Sequence, residues 1–156
     1  MVEVRIPGFK HLQLEHLVLD FNGTLACDGV LEEGARDLLV RLSRDLEIHV
    51  VTADTHGNAA AACKGLPCRL VILPGGDQDV SKRDYVRALG AGRTACIGNG
   101  RNDRLMVREA AISMCVIGEE GASAETAAAA HVVCRNAGEA LALLVHTGRL
   151  VATLRS

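Results

Sequence analysis

Six short segments of the chain are apolar almost throughout, and segments of helical periodicity separate most of them. A strand is apolar along its whole length when both of its faces are buried, as in a parallel sheet covered by helices. The predicted strands are residues 16–21, 47–52, 69–73, 94–98, 112–117 and 131–134. The predicted helices are residues 31–45, 58–65, 81–90, 101–110 and 137–150.

This alternation predicts an α/β fold with a doubly wound, mostly parallel, Rossmann-like sheet and helices on both faces. Residues 2–6 and 9–16 precede the first buried strand, and we expect them to form an extra amino-terminal antiparallel ribbon on an edge. A chain of 156 residues suits one domain that buries about two-thirds of its unfolded surface. No linker or internal repeat divides it, so we expect a single domain over residues 1–156.

Composition narrows the classes of partner. A net charge of −2 and three aromatic residues (Phe9, Phe21 and Tyr85) argue against a nucleic-acid surface of basic patches and stacking rings. The longest apolar runs, such as residues 110–118, are about half of the ~20 residues that a membrane span needs. The amino terminus lacks the layout of a signal peptide. We expect a cytoplasmic protein that binds a small molecule, with no nucleic-acid or membrane partner.

Cysteine and histidine residues are mostly given structural interpretations. Six cysteines in a chain without an export signal favour reduced thiols in or near the core over a disulfide framework. The spacing of Cys63 and Cys68 suits the start of a metal site, but no second pair completes it. His49, in an apolar strand, is expected in the core, whereas His56 is a candidate for the border of a site beyond the second strand.

Polar residues fall where such sheets bind ligands, beyond the carboxyl ends of the strands near the point where strand order reverses. Asp20 follows the first buried strand and Thr52 ends the second. Lys82 begins a helix after the third strand, and residues 99–103 follow the fourth. In phosphoryl transfer a carboxylate attacks phosphorus, a hydroxyl and an ammonium hold the phosphate oxygens, and further acidic groups hold Mg²⁺. Their order along the chain therefore predicts a phosphoryl-transfer site.

Each of these residues also has a structural interpretation. Asp20 alone is compatible with a strand-end cap, and Thr52 with the start of the next helix. Lys82 is compatible with a solvated helix residue, and Asn102 and Asp103 with caps of the helix that follows them. The ordered set favours the functional interpretation over each single alternative.

The motifs resemble those of the haloacid dehalogenase-like (HAD) superfamily of phosphatases and phosphotransferases, from residue 16 to about residue 118. The segment DFNGT (20–24) is similar to the first motif of that family, D-x-D-x-T, and HVVTAD matches the strand ending in Ser or Thr of the second. Lys82 matches the third motif, and GNGRND (98–103) is similar to the fourth, G-D-G-x-N-D.

The resemblance implies a nucleophile, Asp20, that forms an aspartyl phosphate, and it implies a Mg²⁺ cofactor. The catalytic residues that it implies are Asp20, Asn22, Thr52 and Lys82. Implied phosphate-binding residues are Asp20, Gly23, Thr52, Ala53, Lys82 and Asn102. Implied metal-binding residues are Asp20, Asn22 (through its backbone carbonyl), Asn99 and Asp103.

Two asparagines depart from the family pattern. Asn22 stands where the family usually has the aspartate that protonates the leaving group and activates water, and an amide does neither. General acid–base catalysis supplies about 10²–10⁴-fold, so we expect slow turnover, least affected for acidic leaving groups. Asn99 replaces an aspartate in the fourth motif, and an amide oxygen is a poorer Mg²⁺ ligand than a carboxylate. P-type ion-pumping ATPases share the ordered motifs with a non-acidic residue at the second position, and this chain looks like a soluble counterpart of their phosphorylation domain.

The cap domains of this family are inserted between the first and second or the second and third motifs. Here the intervals 24–52 and 52–82 are each filled by one helix and its neighbouring turns or strand, so we expect no cap. Residues 25–34 are interpreted as the small flap beside the nucleophile. The site is then open unless a neighbouring subunit covers it, and by analogy with capless 3-deoxy-octulosonate 8-phosphate phosphatases we expect a homo-oligomer, a tetramer.

Three alternatives stay open. The first is a catalytically impaired descendant that binds phosphate or another protein, which the two asparagines favour. The second is a receiver domain of two-component signalling, which usually has an acidic pair near the amino terminus that is absent here. The third is a dinucleotide-binding loop at residues 98–103, which lacks the third glycine of G-x-G-x-x-G.

Overall fold

The structure is a computed structural model that describes residues 1–54 and 57–156. Its strands are β1 (Val2–Ile6), β2 (Lys10–Leu14), β3 (His16–Asp20), β4 (Ala26–Cys27), β5 (Val30–Leu31), β6 (Glu47–Thr52), β7 (Arg69–Ile72), β8 (Thr94–Gly98), β9 (Ile112–Val116) and β10 (Val132–Cys134). Its α-helices are α1 (Ala35–Leu42), α2 (Asn58–Cys63), α3 (Gln78–Leu89), α4 (Arg104–Glu109), α5 (Ala124–Ala129), α6 (Ala137–Val145) and α7 (Thr147–Leu154).

Six strands form one parallel sheet, in the order β10-β9-β8-β3-β6-β7. From β3 the chain adds β6 and β7 on one side, and it then crosses to add β8, β9 and β10 on the other. Strand order therefore reverses between β3 and β8, and the predicted doubly wound sheet is confirmed. Because parallel strands end at the same edge of a sheet, the residues after β3, β6 and β8 lie close together.

Helices cover both faces of the sheet, which explains why its central strands are apolar throughout. Leu17 and Leu19 of β3 pack into the larger hydrophobic cluster with Leu39 of α1, whereas Val18 packs into the smaller cluster with Val86 of α3. Successive strand residues point to opposite faces, so a strand covered on both sides needs apolar residues at every position.

Helix boundaries differ from the predictions most clearly in four places. α1 covers only Ala35–Leu42 of the predicted 31–45, because Leu31 belongs to strand β5 of a short hairpin before it. α3 begins three residues before the predicted 81–90, because Asp79 in its first turn accepts a hydrogen bond from a backbone N–H and pairs with Arg104 at 2.7 Å. The predicted helix 137–150 is two helices, since the backbone leaves the helical conformation at His146. α5 was not predicted, because its alanine-rich sequence favours a helix without the apolar stripe on which the prediction depended.

The amino-terminal ribbon is present as β1 and β2, which pair antiparallel. They form a two-stranded sheet of their own and not an added edge of the main sheet. Val4, Ile6, Leu12 and Leu14 of the ribbon are buried in the larger hydrophobic cluster, so the ribbon extends the core.

The flap is the antiparallel hairpin of β4 and β5 within residues 25–34. In the described chain, the first interval where a cap would be inserted holds the flap, α1 and β6, and the second holds α2, β7 and the start of α3, so the domain carries no cap there. Four of the six cysteines are buried, as predicted for thiols in the core: Cys63, Cys96, Cys115 and Cys134. None of the helices in the described ranges is long and apolar enough to cross a membrane.

Candidate active site

One cavity of about 260 Å³ lies at the carboxyl ends of β3, β6 and β8. Seven residues proposed from the sequence line it: Asp20, Asn22, Thr52, Ala53, Lys82, Asn99 and Asn102. Three further residues complete its lining: Gln78, Gly100 and Glu120. The fold therefore brings most of the predicted site residues to one place, although their roles stay predictions.

Lys82 is the centre of the charge arrangement. Its Nζ atom lies 2.7 Å from Oδ1 of Asp20 and 2.7 Å from Oδ1 of Asp103, and its side chain is 1% exposed. Burial alone would lower the pKa of Lys82, but attraction to the two carboxylates outweighs it and raises the pKa. The lysine is thus a fixed positive charge inside the site and not the solvated helix residue of the alternative interpretation.

The carboxyl group of Asp20 has a strongly raised pKa. Burial, and then repulsion from Asp103, raise the pKa of Asp20 to about 7, against the opposing attraction of Lys82. One ammonium does not balance two buried carboxylates, so the site retains an excess of negative charge. A bound cation would remove that excess and favour the ionised form of Asp20.

Asp103 occupies a different position from the one expected of a metal ligand. It is fully buried behind Lys82 and does not line the cavity. Its Oδ1 atom contacts Lys82, while Oδ2 accepts hydrogen bonds from the backbone N–H groups of Asn99 at 2.9 Å and Gly100 at 3.0 Å. Both oxygens already have protein partners, so Asp103 orients the lysine and the loop after β8. A Cβ at Gly98 would lie 2.6 Å from the Asp103 carboxyl carbon, which explains the glycine there.

Thr24 and Asn99 form the wall beside the Asp20 carboxylate. The Thr24 hydroxyl donates to Oδ1 of Asn99 at 3.1 Å, and it lies 3.4 Å from Oδ2 of Asp20. The Asn99 amide donates to the backbone carbonyl of Gly121 at 3.3 Å. Since Oδ1 of Asp20 is held by Lys82, Oδ2 is the carboxylate oxygen with the weaker protein contact.

Two hydrogen bonds hold residues 52–54, at the end of β6 and just after it. Thr52 is buried, and its hydroxyl accepts a hydrogen bond from the backbone N–H of Asp54 at 3.1 Å. Asp54 in turn accepts from the backbone N–H of Ala59 at 3.1 Å, which ties the loop to α2. His56, proposed as a border residue, lies outside the described residues.

Gln78 was missed because α3 was predicted to begin after it. Gln78 and Lys82 are four residues apart, so both face the cavity from the same side of the helix. Oε1 of Gln78 accepts a hydrogen bond from the side-chain amide of Asn102 at 3.0 Å. This contact fixes Asn102 at the mouth of the site.

Glu120 was missed although a sequence signal pointed to it. It follows a predicted buried strand, the same position rule that selected Asp20 and Asn99. A Cβ at Gly23 would collide with the Glu120 carboxylate and the Asn99 amide, and Gly23 also has a positive φ of 75°. The positive φ, together with the close approach of these side chains, therefore favours glycine at position 23.

A larger cavity of about 580 Å³ adjoins the first, and both are lined by Glu120. It lies between the flap and the segments that follow β9 and β10. Its charged lining residues are mostly acidic: Asp28, Glu32, Glu33, Glu119 and Glu120, with Arg135. It offers space for the part of a ligand that extends beyond the smaller cavity.

Two proteins that resemble this chain in sequence are both uncharacterized, so they do not indicate an activity. No family model matches the chain. It is 44% identical over 59 residues to the uncharacterized protein MJ0073 of Methanocaldococcus jannaschii, a match that covers 38% of this chain and 63% of that protein. It is also 44% identical over 39 residues to MJ0072 of the same organism, covering 25% of this chain and 89% of that protein.

Solved structures show which fold this is. The cobalt-bound deoxy-D-mannose-octulosonate 8-phosphate phosphatase of Haemophilus influenzae superposes with a TM-score of 0.71 at 14% identity, covering 92% of this chain and 94% of that one. The 3-deoxy-D-manno-octulosonate 8-phosphate phosphatase of Moraxella catarrhalis, solved with magnesium, phosphate and KDO, gives 0.66 at 16% identity, covering 91% and 94%. The chain has the HAD-like fold.

The HAD-like fold also occurs in the pump family noted from the sequence. A zinc-transporting PIB-type ATPase in the E2.Pi state superposes with a TM-score of 0.63 at 20% identity, over 79% of this chain and 20% of that one. At these identities the likeness is one of fold. It confirms the HAD-like resemblance drawn from the motifs.

Proposed function

We propose that this protein is a Mg²⁺-dependent phosphatase or phosphotransferase that acts on a small phosphorylated compound through an aspartyl phosphate on Asp20. The observation that carries the proposal is the placement of the buried Asp20 carboxylate against Lys82 at the wall of a small polar cavity. Thr52 and Lys82 line the same cavity, and a hydroxyl and an ammonium are suitable partners for phosphate oxygens.

The proposed reaction has two steps. Oδ2 of Asp20 attacks phosphorus, and the bond from phosphorus to the leaving oxygen breaks with its electron pair going to that oxygen. Water then attacks phosphorus and gives up a proton to solvent, the bond from phosphorus to Oδ2 of Asp20 breaks with its electron pair returning to the carboxylate, and phosphate leaves. Lys82 holds Oδ1 of the carboxylate, which leaves Oδ2 for the attack.

The residues present suit Mg²⁺. Mg²⁺ prefers oxygen ligands, and Asp20, Asn99, Glu120 and the backbone carbonyl of Asn22 supply them around one cavity with excess negative charge. In this proposal Glu120 takes the part assigned to Asp103 from the sequence, because it lines the cavity and Asp103 does not. When bound, the ion neutralises charge on the phosphoryl group.

Asn22 is the reason why we propose slow turnover. It is exposed at the cavity, where it neither donates a proton to a leaving group nor takes one from water. The leaving group must therefore take its proton from solvent, so acidic leaving groups are favoured. Because the second step needs an activated water, we propose that the aspartyl phosphate accumulates.

The larger cavity limits which leaving groups the substrate can carry. Its acidic wall repels polyanions such as nucleotide diphosphates, so we expect acetyl phosphate to phosphorylate the protein faster than ATP does. The leaving portion of the substrate is then small, or carries neutral or positively charged groups.

Cytoplasmic location and assembly into a homo-oligomer, a tetramer, are also part of the proposal. Val30 at the tip of the flap is 70% exposed, and a second subunit at the flap would cover both this side chain and the open site. Size-exclusion chromatography with light scattering tests the assembly. A mass of four chains is expected, and the mass of a monomer would contradict the proposed oligomer.

A second candidate function is binding without turnover. The two amides at positions 22 and 99 favour it, since each removes a carboxylate that the resemblance associates with catalysis. In this alternative the protein holds phosphate or a phosphorylated ligand in the smaller cavity and releases it unchanged.

Intact-protein mass spectrometry separates the two candidates. The protein is incubated with Mg²⁺ and acetyl phosphate, ATP or p-nitrophenyl phosphate, with Asp20→Asn as the matched control. A gain of about 80 Da that hydroxylamine removes and the control lacks is expected for the phosphoenzyme. If no donor gives this adduct or any phosphate release that depends on Asp20, the binding function is the better conclusion.

A further inference from the structure

A second group of polar side chains lies at the opposite end of the sheet from Asp20. His16 is the first residue of β3, Glu47 is the first residue of β6, and His49 is two residues further along β6. His16 and Glu47 are register partners, and strand residues two apart share a face, so the three side chains lie on one face of the sheet. The proposed active site uses none of them.

The ligand atoms of this group are close enough to share one ion. Nδ1 of His16 lies 3.3 Å from Nε2 of His49 and 3.5 Å from Oε2 of Glu47. Oε1 of Glu47 lies 4.0 Å from Nε2 of His49, and one ligand atom from each residue falls within 4.8 Å of the others. Two nitrogens bound to one tetrahedral Zn²⁺, each at about 2.0–2.1 Å, are roughly 3.3–3.4 Å apart. The two imidazoles lie within hydrogen-bonding distance of each other, and this separation is also the one that a shared metal needs.

The surroundings hold His49 in a suitable orientation. Its other ring nitrogen, Nδ1, lies 2.8 Å from the hydroxyl of Tyr85, and the ring is fully buried. With the Nδ1 proton donated to Tyr85, the lone pair of Nε2 is directed to the side of His16. Histidines that bind metals generally have their second nitrogen held in this way.

We propose that His16, Glu47 and His49 form a transition-metal site, suited to Zn²⁺ and similar ions, with water completing the coordination. Two imidazoles and one carboxylate are a common ligand set for Zn²⁺. The side chain of Glu47 is 49% exposed and that of His16 is 12% exposed, so solvent reaches the site from one side. The bound ion would join the amino ends of β3 and β6.

Arg69 competes with the metal for Glu47. Its Nη2 atom lies 3.4 Å from Oε1 of Glu47, and its side chain is 67% exposed. An adjacent guanidinium both occupies the carboxylate and repels a cation. Removing this charge should therefore tighten metal binding, an effect opposite in sign to that of removing a ligand.

Co²⁺ titration of the protein under reducing conditions, with excess Mg²⁺ present to fill the proposed active site, tests the new site; binding is followed by visible absorption and by Zn²⁺ competition. Three variants act on the site itself: His16→Gln, Glu47→Gln and Arg69→Gln. Two are controls: His11→Gln removes an exposed histidine that lies 2.7 Å from a carboxylate elsewhere, and Asp20→Asn alters the active site.

With the active site occupied by Mg²⁺, one equivalent of Co²⁺ is expected to bind the wild-type protein, about tenfold or more weakly after loss of His16 or Glu47 and several-fold more tightly after loss of Arg69. The two controls should leave the affinity unchanged. Binding whose affinity and spectrum are unchanged by loss of His16 but altered by Asp20→Asn, a cobalt spectrum dominated by thiolate charge transfer, or no saturable binding would each overturn the proposal. If a variant fails to fold, X-ray absorption of the zinc-loaded wild-type protein decides: two imidazole ligands support the site, and fewer overturn it.

Discussion

The ammonium of Lys82 lies 2.7 Å from Oδ1 of Asp20, and both side chains are almost completely shielded from solvent. The same ammonium contacts Asp103 at 2.7 Å, so removing it leaves two buried carboxylates without their cation. Breaking a buried pair on one side costs about 3–5 kcal/mol. We expect Lys82→Met to lower the free energy of unfolding by that order and to abolish phosphoenzyme formation.

Urea denaturation and intact-mass measurements check the Lys82 prediction. Lys64→Met is the matched control, since Lys64 is exposed and a surface change of this kind alters stability by less than about 0.5 kcal/mol. Equal stability of the two variants would show that Lys82 is not the charge that balances the site.

Restoring an acid–base group at position 22 should speed release of the phosphoryl group. We expect Asn22→Asp to increase the rate of phosphoenzyme hydrolysis by about 10²-fold, because its carboxylate can take a proton from the attacking water. The rate is measured as loss of the 80-Da adduct after the donor is removed, a mass change of about the phosphoryl group. Gln13→Glu, an exposed ribbon position, adds the same charge away from the site and should leave the rate unchanged. No acceleration in a folded Asn22→Asp protein contradicts our account of slow turnover.

The raised pKa of Asp20 makes the stability of the metal-free protein depend on pH. Because the pKa of Asp20 is raised to about 7, the folded state holds this proton more tightly than the unfolded state does. The resulting stability is present below the ordinary pKa and is lost as the pH rises through 7. We expect Asp20→Asn to become more stable than wild type between pH 5 and 8, by up to about 3 kcal/mol.

Denaturation in EDTA at several pH values checks this difference between Asp20→Asn and wild type. The other titratable groups are common to both proteins and cancel in the difference. Asp45→Asn, an exposed position, should follow the wild-type curve. Saturating Mg²⁺ should reduce the pH-dependent gap, since the ion favours the ionised carboxylate. A gap that stays constant with pH would show that Asp20 does not titrate in this range.

Glu120 should contribute to Mg²⁺ binding without contributing to stability. We expect Glu120→Gln to weaken the Mg²⁺ dependence of phosphoenzyme formation about five- to tenfold, because the site loses a carboxylate ligand. Glu119→Gln is the matched control: the neighbouring carboxylate lines only the larger cavity and accepts a contact from the Cys27 thiol at 3.3 Å. Equal effects of the two substitutions would point to general electrostatics and not to a ligand.

The convergence of Asp20, Thr52 and Lys82 was predictable because it follows from two simple rules. Alternating apolar strands and helices predict a parallel sheet, and the ends of parallel strands meet at one edge. The direction in which Asp103 points was not predictable from spacing. It depends on the short helical turn at residues 101–103, which places the carboxylate beneath Gly98 and behind the lysine.

Glu120 was harder to assign, because tertiary contacts position the segment that carries it. Two hydrogen bonds place this segment against the loop after β8, from the backbone of Ser123 to Asn99 and from the Thr126 hydroxyl to Gly100. Neither contact leaves a periodic signal in the sequence. The pairing of His16 with His49 is similar: each residue looks like a strand position, and only the register of β3 with β6 shows that they meet.

The contact between Asp20 and Lys82 joins residues 62 positions apart, and it needs β3, α3 and the loop after β8 to be in place together. Parallel strands pair late because a long stretch of chain must be closed before they gain any contacts. The proposed phosphate affinity would therefore be acquired only when folding is nearly finished. A partly folded molecule would present two unpaired carboxylates and repel the anion, so capture on immobilised phosphate would select completely folded molecules.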